Sequence, residues 1–166
     1  EIKDAMAYLV AVANPDDAMS LRRILNVPKR GIGPATEAAL QAFADEHDIT
    51  LRDAMRRVDE LGFGPKVTGA IRDLSALLDT HTNAENPDPG TVLADLMGRT
   101  GYLDQLRASP DAQDAARAEN VEELIAVTRE FRKANPSGSL IDFLTEVALV
   151  AAADELDDSE GQVSLM

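Results

Sequence analysis

Cysteine and tryptophan are absent from this 166-residue chain, and only 4 % of its residues are aromatic. Without cysteine there is no disulfide framework and no thiolate metal site. So few aromatic residues leave a core of Leu, Ile, Val and Ala, which suits packed helices better than an aromatic-rich sandwich of strands. No apolar run approaches the roughly 20 residues that cross a bilayer, and no signal peptide is visible. These absences predict a soluble, intracellular, all-α piece built as one compact domain around one core.

Positive charge is also scarce: 16 Lys and Arg stand against 30 Asp and Glu, a net charge of −14. At face value that argues against nucleic acid, but the distribution is uneven. Residues 20–72 carry nine cations against seven anions, whereas residues 73–166 carry six against nineteen. A small phosphate-binding patch in the first half is therefore compatible with the acidic sum.

Apolar spacing and stop signals predict a series of helices. The first runs from Ile2 to Ala13 and stops at Asn14-Pro15. A short one covers Leu21 to Leu25, and another runs from Pro34 to about His47, with proline at the first helical position. Thr50, with Asp53 three residues on, can cap the next, and Pro65 opens one whose stripe is Val67, Ile71, Leu74, Leu77 and Leu78. Thr80–Gly90 is polar and rich in turn formers, which predicts a flexible connection. Thr91 to Met97 is helical, Ser109-Pro110 starts a long helix to about Ala134, and Ser139 can cap a last helix through about Ala152. Asp154–Gly161 is an acidic tail, expected to be mobile. Gln162–Met166 alternates like a strand with no partner elsewhere in the chain, as in a segment whose sheet lies in another part of a longer protein.

One pattern occurs twice, 31 residues apart: Gly31-Ile32-Gly33-Pro34 and Gly62-Phe63-Gly64-Pro65 both read Gly-apolar-Gly-Pro before a helix. A helix N-terminus behind a glycine turn binds anions through free amides and the helix dipole. At the first turn Lys29 and Arg30 stand immediately upstream, Thr36 offers a hydroxyl, and no acid falls between Ser20 and Thr36. Lys29, Arg30, Gly31, Ile32, Gly33 and Thr36 thus form a candidate phosphate-binding set in a helix-hairpin-helix, with Ile32 anchoring the turn in the core. Arg22, Arg23 and Lys66 are candidate secondary contacts. A Gly-x-Gly-Pro corner is equally often a plain link between helices, and Asp59-Glu60 before the second turn mark that one as mainly structural.

Other chemistry is thinly represented. There is no Gly-x-x-x-x-Gly-Lys-[Ser/Thr] to cradle a triphosphate and no third glycine at dinucleotide spacing. His47 and His81 are isolated, Asp16-Asp17 and Asp157-Asp158 do not fit a calcium loop, and Glu119, Glu122, Glu123 and Glu130 read as the wet face of the long helix. Tyr8 and Tyr102 read as partly buried packing residues. No nucleophile–base pair stands out, so neither a catalytic nor a metal site is expected.

EIKDAMAYL, NPDDAMSLRRILNVPKRGIGPAT, RAENVEELIAVTREF, SLIDFLTEVALVAAADELDD and QVSLM, in that order, closely resemble bacterial UvrD/PcrA-type superfamily 1A DNA helicases, in a version typical of high-GC actinobacterial composition. The resemblance implies the mobile 2B subdomain with short 2A flanks. It divides the chain into a 2A/2B junction helix (1–14), the 2B subdomain (15–152, with hairpin units near 21–47 and 51–78), and an acidic linker with a 2A strand (153–166). It further implies an ATP-dependent 3′→5′ helicase of DNA repair and replication, cytoplasmic and nucleoid-associated, whose ATP and Mg sites lie outside this segment. The 2B hairpin would touch duplex DNA at the single-strand/duplex junction and control unwinding by reorientation. The expected partners are that duplex, the remaining helicase subdomains, and either a second copy or a repair or transcription protein; a self-association platform is the competing reading.

Overall fold

The computed structural model describes residues 1–150 and 153. Every regular element among them is helical: α1 (Ile2–Ala13), α2 (Ala18–Ile24), α3 (Pro34–Glu46), α4 (Leu51–Arg56), α5 (Pro65–Thr82), α6 (Pro89–Arg99), α7 (Tyr102–Ala108), α8 (Ala112–Ala134) and a further helix, α9, over 140–150. A single 3-10 turn, Val58–Glu60, follows α4. The multi-helix fold is the one that the composition predicts. The acidic tail and the strand expected at 162–166 lie outside the described residues.

The fold is organised around α1. Its buried face is rich in alanine (Ala5, Ala7, Ala11) and completed by Tyr8, Leu9 and Val12. Small side chains let several neighbours approach one axis, and α1 packs against α2, α5, α6 and α8. Helices α3 and α4 pair on one side and α7 and α8 on the other, with α6 laid against both α1 and α8. The core is one cluster of Leu, Ile, Val, Met and Ala, closed by Tyr102 and Phe143. Both tyrosines are therefore more buried than expected, with Tyr8 fully enclosed.

Local chemistry sets the helix starts. Thr50 accepts from the Asp53 amide (3.1 Å), as its spacing predicts. Ser139 and Asp142 form a reciprocal pair, each side chain accepting from the other's backbone amide. The long helix begins later than Pro110, because Asp111 caps it by accepting from Gln113. Helix α5 continues through His81 to Thr82, so the link before α6 is shorter than the polar stretch from Thr80 suggests. His81 is not isolated either: its Nε2 lies 2.6 Å from Asp95 on α6, and Arg99 holds the other oxygen of that carboxylate at 2.7 Å.

One polar cluster is set into the core. The Arg52 side chain is fully buried and meets Asp79 at 2.6 Å, while Arg56 binds the same carboxylate through two nitrogens. Nε and Nη1 of Arg52 have no acceptor, so its charge depends on Asp79 alone. Burial by itself would push the Asp79 carboxyl up; hydrogen bonds and charge from Arg56 and Arg52 outweigh it and hold the group below its ordinary 3.8.

Removing one member of a buried pair strands the other charge, so Asp79→Ala should cost about 3–5 kcal/mol in urea unfolding at neutral pH. Because the folded-state pKa is depressed, the stabilisation is complete above pH 3.8 and disappears as pH falls through the lower folded value. The gap between wild type and variant should therefore close in acid; a gap that persists there would mean that packing, not charge, is the main loss.

Candidate nucleic-acid interface

The first glycine corner is built by the residues that close α2. Asp17 starts that helix by accepting from the Ser20 amide, and Ile24 and Leu25 bury its end. Beyond it, the Asn26 carboxamide oxygen accepts from the amides of both Arg30 (2.7 Å) and Ile32 (3.2 Å). Two alternate peptide groups are thereby turned inward. Gly31 adopts φ +80°, a left-handed conformation that a side chain would strain, and Ile32 is buried behind it.

Gly33 is extended and stands at the N-cap of α3 without a side-chain cap, and Pro34 occupies the first helical position. Among the described residues the amides of Gly31, Gly33, Ala35 and Thr36 have no acceptor. Such a row is a candidate anion site by geometry and by dipole. Lys29 is exposed at its edge, with no carboxylate partner among the described residues. Glu37 is the carboxylate in the first turn of α3, and its charge partly offsets that site.

Arg30 does a different job from the one its position suggests. Its Nη1 is shared among the carbonyl oxygens of Ile24 (2.6 Å), Leu25 (3.1 Å) and Val27 (3.2 Å), and its Nη2 donates to the Tyr8 hydroxyl. The Tyr8 hydroxyl in turn donates to the Val27 carbonyl. Burial pushes the Tyr8 phenol above its ordinary 10.0, against the pull of the Arg30 charge, so it remains a neutral donor and acceptor. The Leu25 carbonyl has no other donor among the described residues, and the same guanidinium adds a second donor to the carbonyls of Ile24 and Val27, which also accept from the Val27 amide and the Tyr8 hydroxyl. Arg30 thus turns inward, where it positions the loop.

The secondary residues are dispersed. Arg23 pairs with Asp4 of α1 (3.0 Å) and is neutralised there. Arg22 is exposed and donates to Gln41 on α3 (2.5 Å), which leaves its charge on the same helix pair as the corner. Thr36 is half-buried in the first turn of α3. Lys66 belongs to the second corner, whose backbone resembles the first: Gly62 has φ +74°, and Gly64, at φ −59° and ψ 158°, precedes Pro65. Around Lys66 the charges are matched, Asp59 with Arg72 and Glu60 with Arg57, in keeping with a structural turn. Sequence reasoning missed Asn26 and the tyrosine–arginine contact. An Asx residue just upstream of a left-handed glycine is the signal that could have found Asn26.

Residues 1–62 match the family model of the UvrD-like helicase C-terminal domain. The chain is 34 % identical to the ATP-dependent DNA helicase PcrA of Bacillus subtilis over 161 residues, 96 % of this chain and 22 % of that protein. It is 36 % identical to PcrA of Staphylococcus epidermidis and 34 % to that of Staphylococcus aureus, in each case over 100 % of this chain and 23 % of the relative. The chain spans less than a quarter of the length of these curated relatives, and its similarity to PcrA-type DNA helicases runs along its whole extent.

The two adjacent cations should behave oppositely in a stability measurement. Arg30→Ala leaves the Leu25 carbonyl without a donor and removes the bond to the Tyr8 hydroxyl, and should cost about 1–3 kcal/mol in urea unfolding. Lys29→Ala removes an exposed, unpaired charge and should change stability by less than about 0.5 kcal/mol. Equal effects would mean that the inward clamp is not formed.

Proposed function

We propose that this chain is the 2B subdomain of a UvrD/PcrA-type, ATP-dependent 3′→5′ DNA helicase, with a junction helix at 1–14 and the acidic linker and 2A strand at 153–166. In this reading it is a duplex-binding regulatory module, and the helix-hairpin-helix around Gly31–Gly33 grips one phosphate strand ahead of the unwinding junction. The observation that carries the reading is the row of amides at Gly31, Gly33, Ala35 and Thr36, without acceptors among the described residues, beside Lys29, which has no carboxylate partner among them. Similarity to helicases along the whole chain supports it.

Phosphate oxygens accept from the Gly31 and Gly33 amides and from the first turn of α3, with Lys29 and the Thr36 hydroxyl closing around them. Arg30 acts behind that surface by fixing the loop. Contacts of this kind position a protein on a duplex and carry no base information. Control then follows from linkage: a duplex bound by one orientation of the subdomain more tightly than by another shifts the balance between them by that difference alone. The described residues do not fit a nucleotide or a metal. No triphosphate loop motif occurs in the sequence, and no group of carboxylates and histidines that could hold a metal is present among the described residues. ATP and Mg are accordingly assigned to the remainder of the longer protein, and no step here runs through them.

A second reading, an interaction platform, is favoured by one feature. A groove of about 540 Å³ between α8 and α9 is lined by Val127, Phe131, Phe143, Val147 and Val150, and Val127 and Val150 are exposed. Since more than three quarters of the relatives' length lies outside the matched segment, the occupant proposed for it is another segment of the same longer polypeptide.

Titration of a labelled duplex at low salt tests the first reading. Lys29→Glu should weaken binding by the 166-residue chain and lower the slope of log K against log salt by about one. Equal affinity and equal slope for the two proteins would remove the hairpin as the contact.

A further inference from the structure

The arrangement of ion pairs singles out a second place. Eight of the twelve arginines in this acidic chain have a carboxylate within 4 Å; among the described residues those without one are Arg22, Arg30, Arg129 and Arg132. The first two flank the glycine corner. The other two lie together on the last turns of α8, with Lys133 beside them. They line a groove of about 430 Å³ with Asp88 and Pro136.

This groove repeats the plan of the first corner. Arg132 turns toward backbone, reaching the Gly138 carbonyl at 3.2 Å and that of Asn86 at 3.5 Å, and ties together the loops on either side. Arg129 stays exposed with no acceptor among the described residues, as Lys29 does at the hairpin. Lys133 is also exposed and reaches only Glu130, at 3.4 Å. The Asp88 carboxylate is already committed, accepting from the Gly90 amide (3.2 Å) and the Thr91 hydroxyl (3.0 Å) at the positive end of α6. Gly90 makes the approach possible: a Cβ there would come within 2.6 Å of Arg129 Cγ, so only glycine lets the first turn of α6 lie against that side chain.

We propose that this groove is a second nucleic-acid contact, taking backbone phosphates on Arg129 and Lys133 with Arg132 as the positioning residue. Its lining chooses the class of ligand. Among the described residues three of its five lining residues are cationic, and none is an aromatic or large aliphatic side chain of the kind that anchors a protein partner. A phosphate strand needs only cations and an accessible trough. Helix α6 lies between the two regions: Arg99 and Thr100 at its C-terminal end share a cleft with Arg30, and Asp88 at its start lines the groove.

The inference rests on the proposed duplex binding, and a three-way comparison separates the two claims. Arg129→Glu/Lys133→Glu, Lys29→Glu and a control with the same charge change, Arg107→Glu/Arg117→Glu, are titrated with labelled duplex, folding being checked by thermal melts. The groove variant should bind roughly tenfold more weakly at low salt, with a salt slope shallower by about two. Loss in the control as large as in the groove variant would overturn the inference, because the effect would then be general charge. Wild-type affinity in the groove variant with loss only in Lys29→Glu would overturn it and leave the hairpin standing; loss in the groove variant alone would do the reverse. Unchanged duplex binding with weakened binding of polyglutamate would also overturn it, assigning the groove to an acidic protein segment.

Discussion

Carbonyl oxygens at the buried end of a helix must find donors, and beyond α2 one guanidinium supplies the Leu25 carbonyl and reinforces those of Ile24 and Val27. Arg30 reaches back over its own loop to three carbonyls and to Tyr8 of α1. The loop is thereby closed into a small ring, with Asn26 bonding two of its amides from inside. With those bonds made inside the loop, the amides of Gly31 and Gly33 are left without an acceptor among the described residues. The proposed cradle is the complement of the bonds made inside.

The same economy applies to the charges at large. A net charge of −14 repels polyanions over long range, but screening at physiological ionic strength limits that field to about 8 Å. What a phosphate meets at contact is local, and most arginines are already matched to carboxylates. The few that are not are concentrated at the glycine corner and at the end of α8. In the proposed function, bulk acidity weakens association and the cations without a carboxylate partner among the described residues decide where contact occurs.

Much of this was legible beforehand. Alanine, leucine and proline placement marked α1, α3 and α5, because the apolar period and a proline at the first helical position are local signals that tertiary packing had no reason to override. The Thr50 and Ser139 caps were legible for the same reason. Helix α7 was not foreseen: Tyr102–Ala108 has seven residues, too few for periodicity to show, and it forms because Tyr102 and Leu103 are buried. The link from Thr80 looked like a loop because its residues are polar, yet His81 and Thr82 are held in α5 by long-range bonds to Asp95 and to the Val12 carbonyl. At the site, the glycines and Lys29 could be read from spacing. The direction of Arg30 could not, since it depends on Tyr8, 22 residues away.

That distant contact carries a consequence for control. Helix α1 holds the loop through Tyr8 and Arg30, and it holds α2 through the Asp4–Arg23 pair. It also packs on α5, α6 and α8, so it touches the elements behind both cationic corners. A shift of α1 against its neighbours would have to break the buried clamp or carry the hairpin with it. Hydrogen bonds to a charged group are stronger than neutral ones, so moving the corner as a unit is the easier course. In the proposed helicase, where α1 is the junction to the motor, the grip on the duplex and the orientation of the subdomain would then be one variable. Two weak phosphate contacts on such a unit reinforce each other, because binding at the first raises the local concentration of strand at the second without any new interaction.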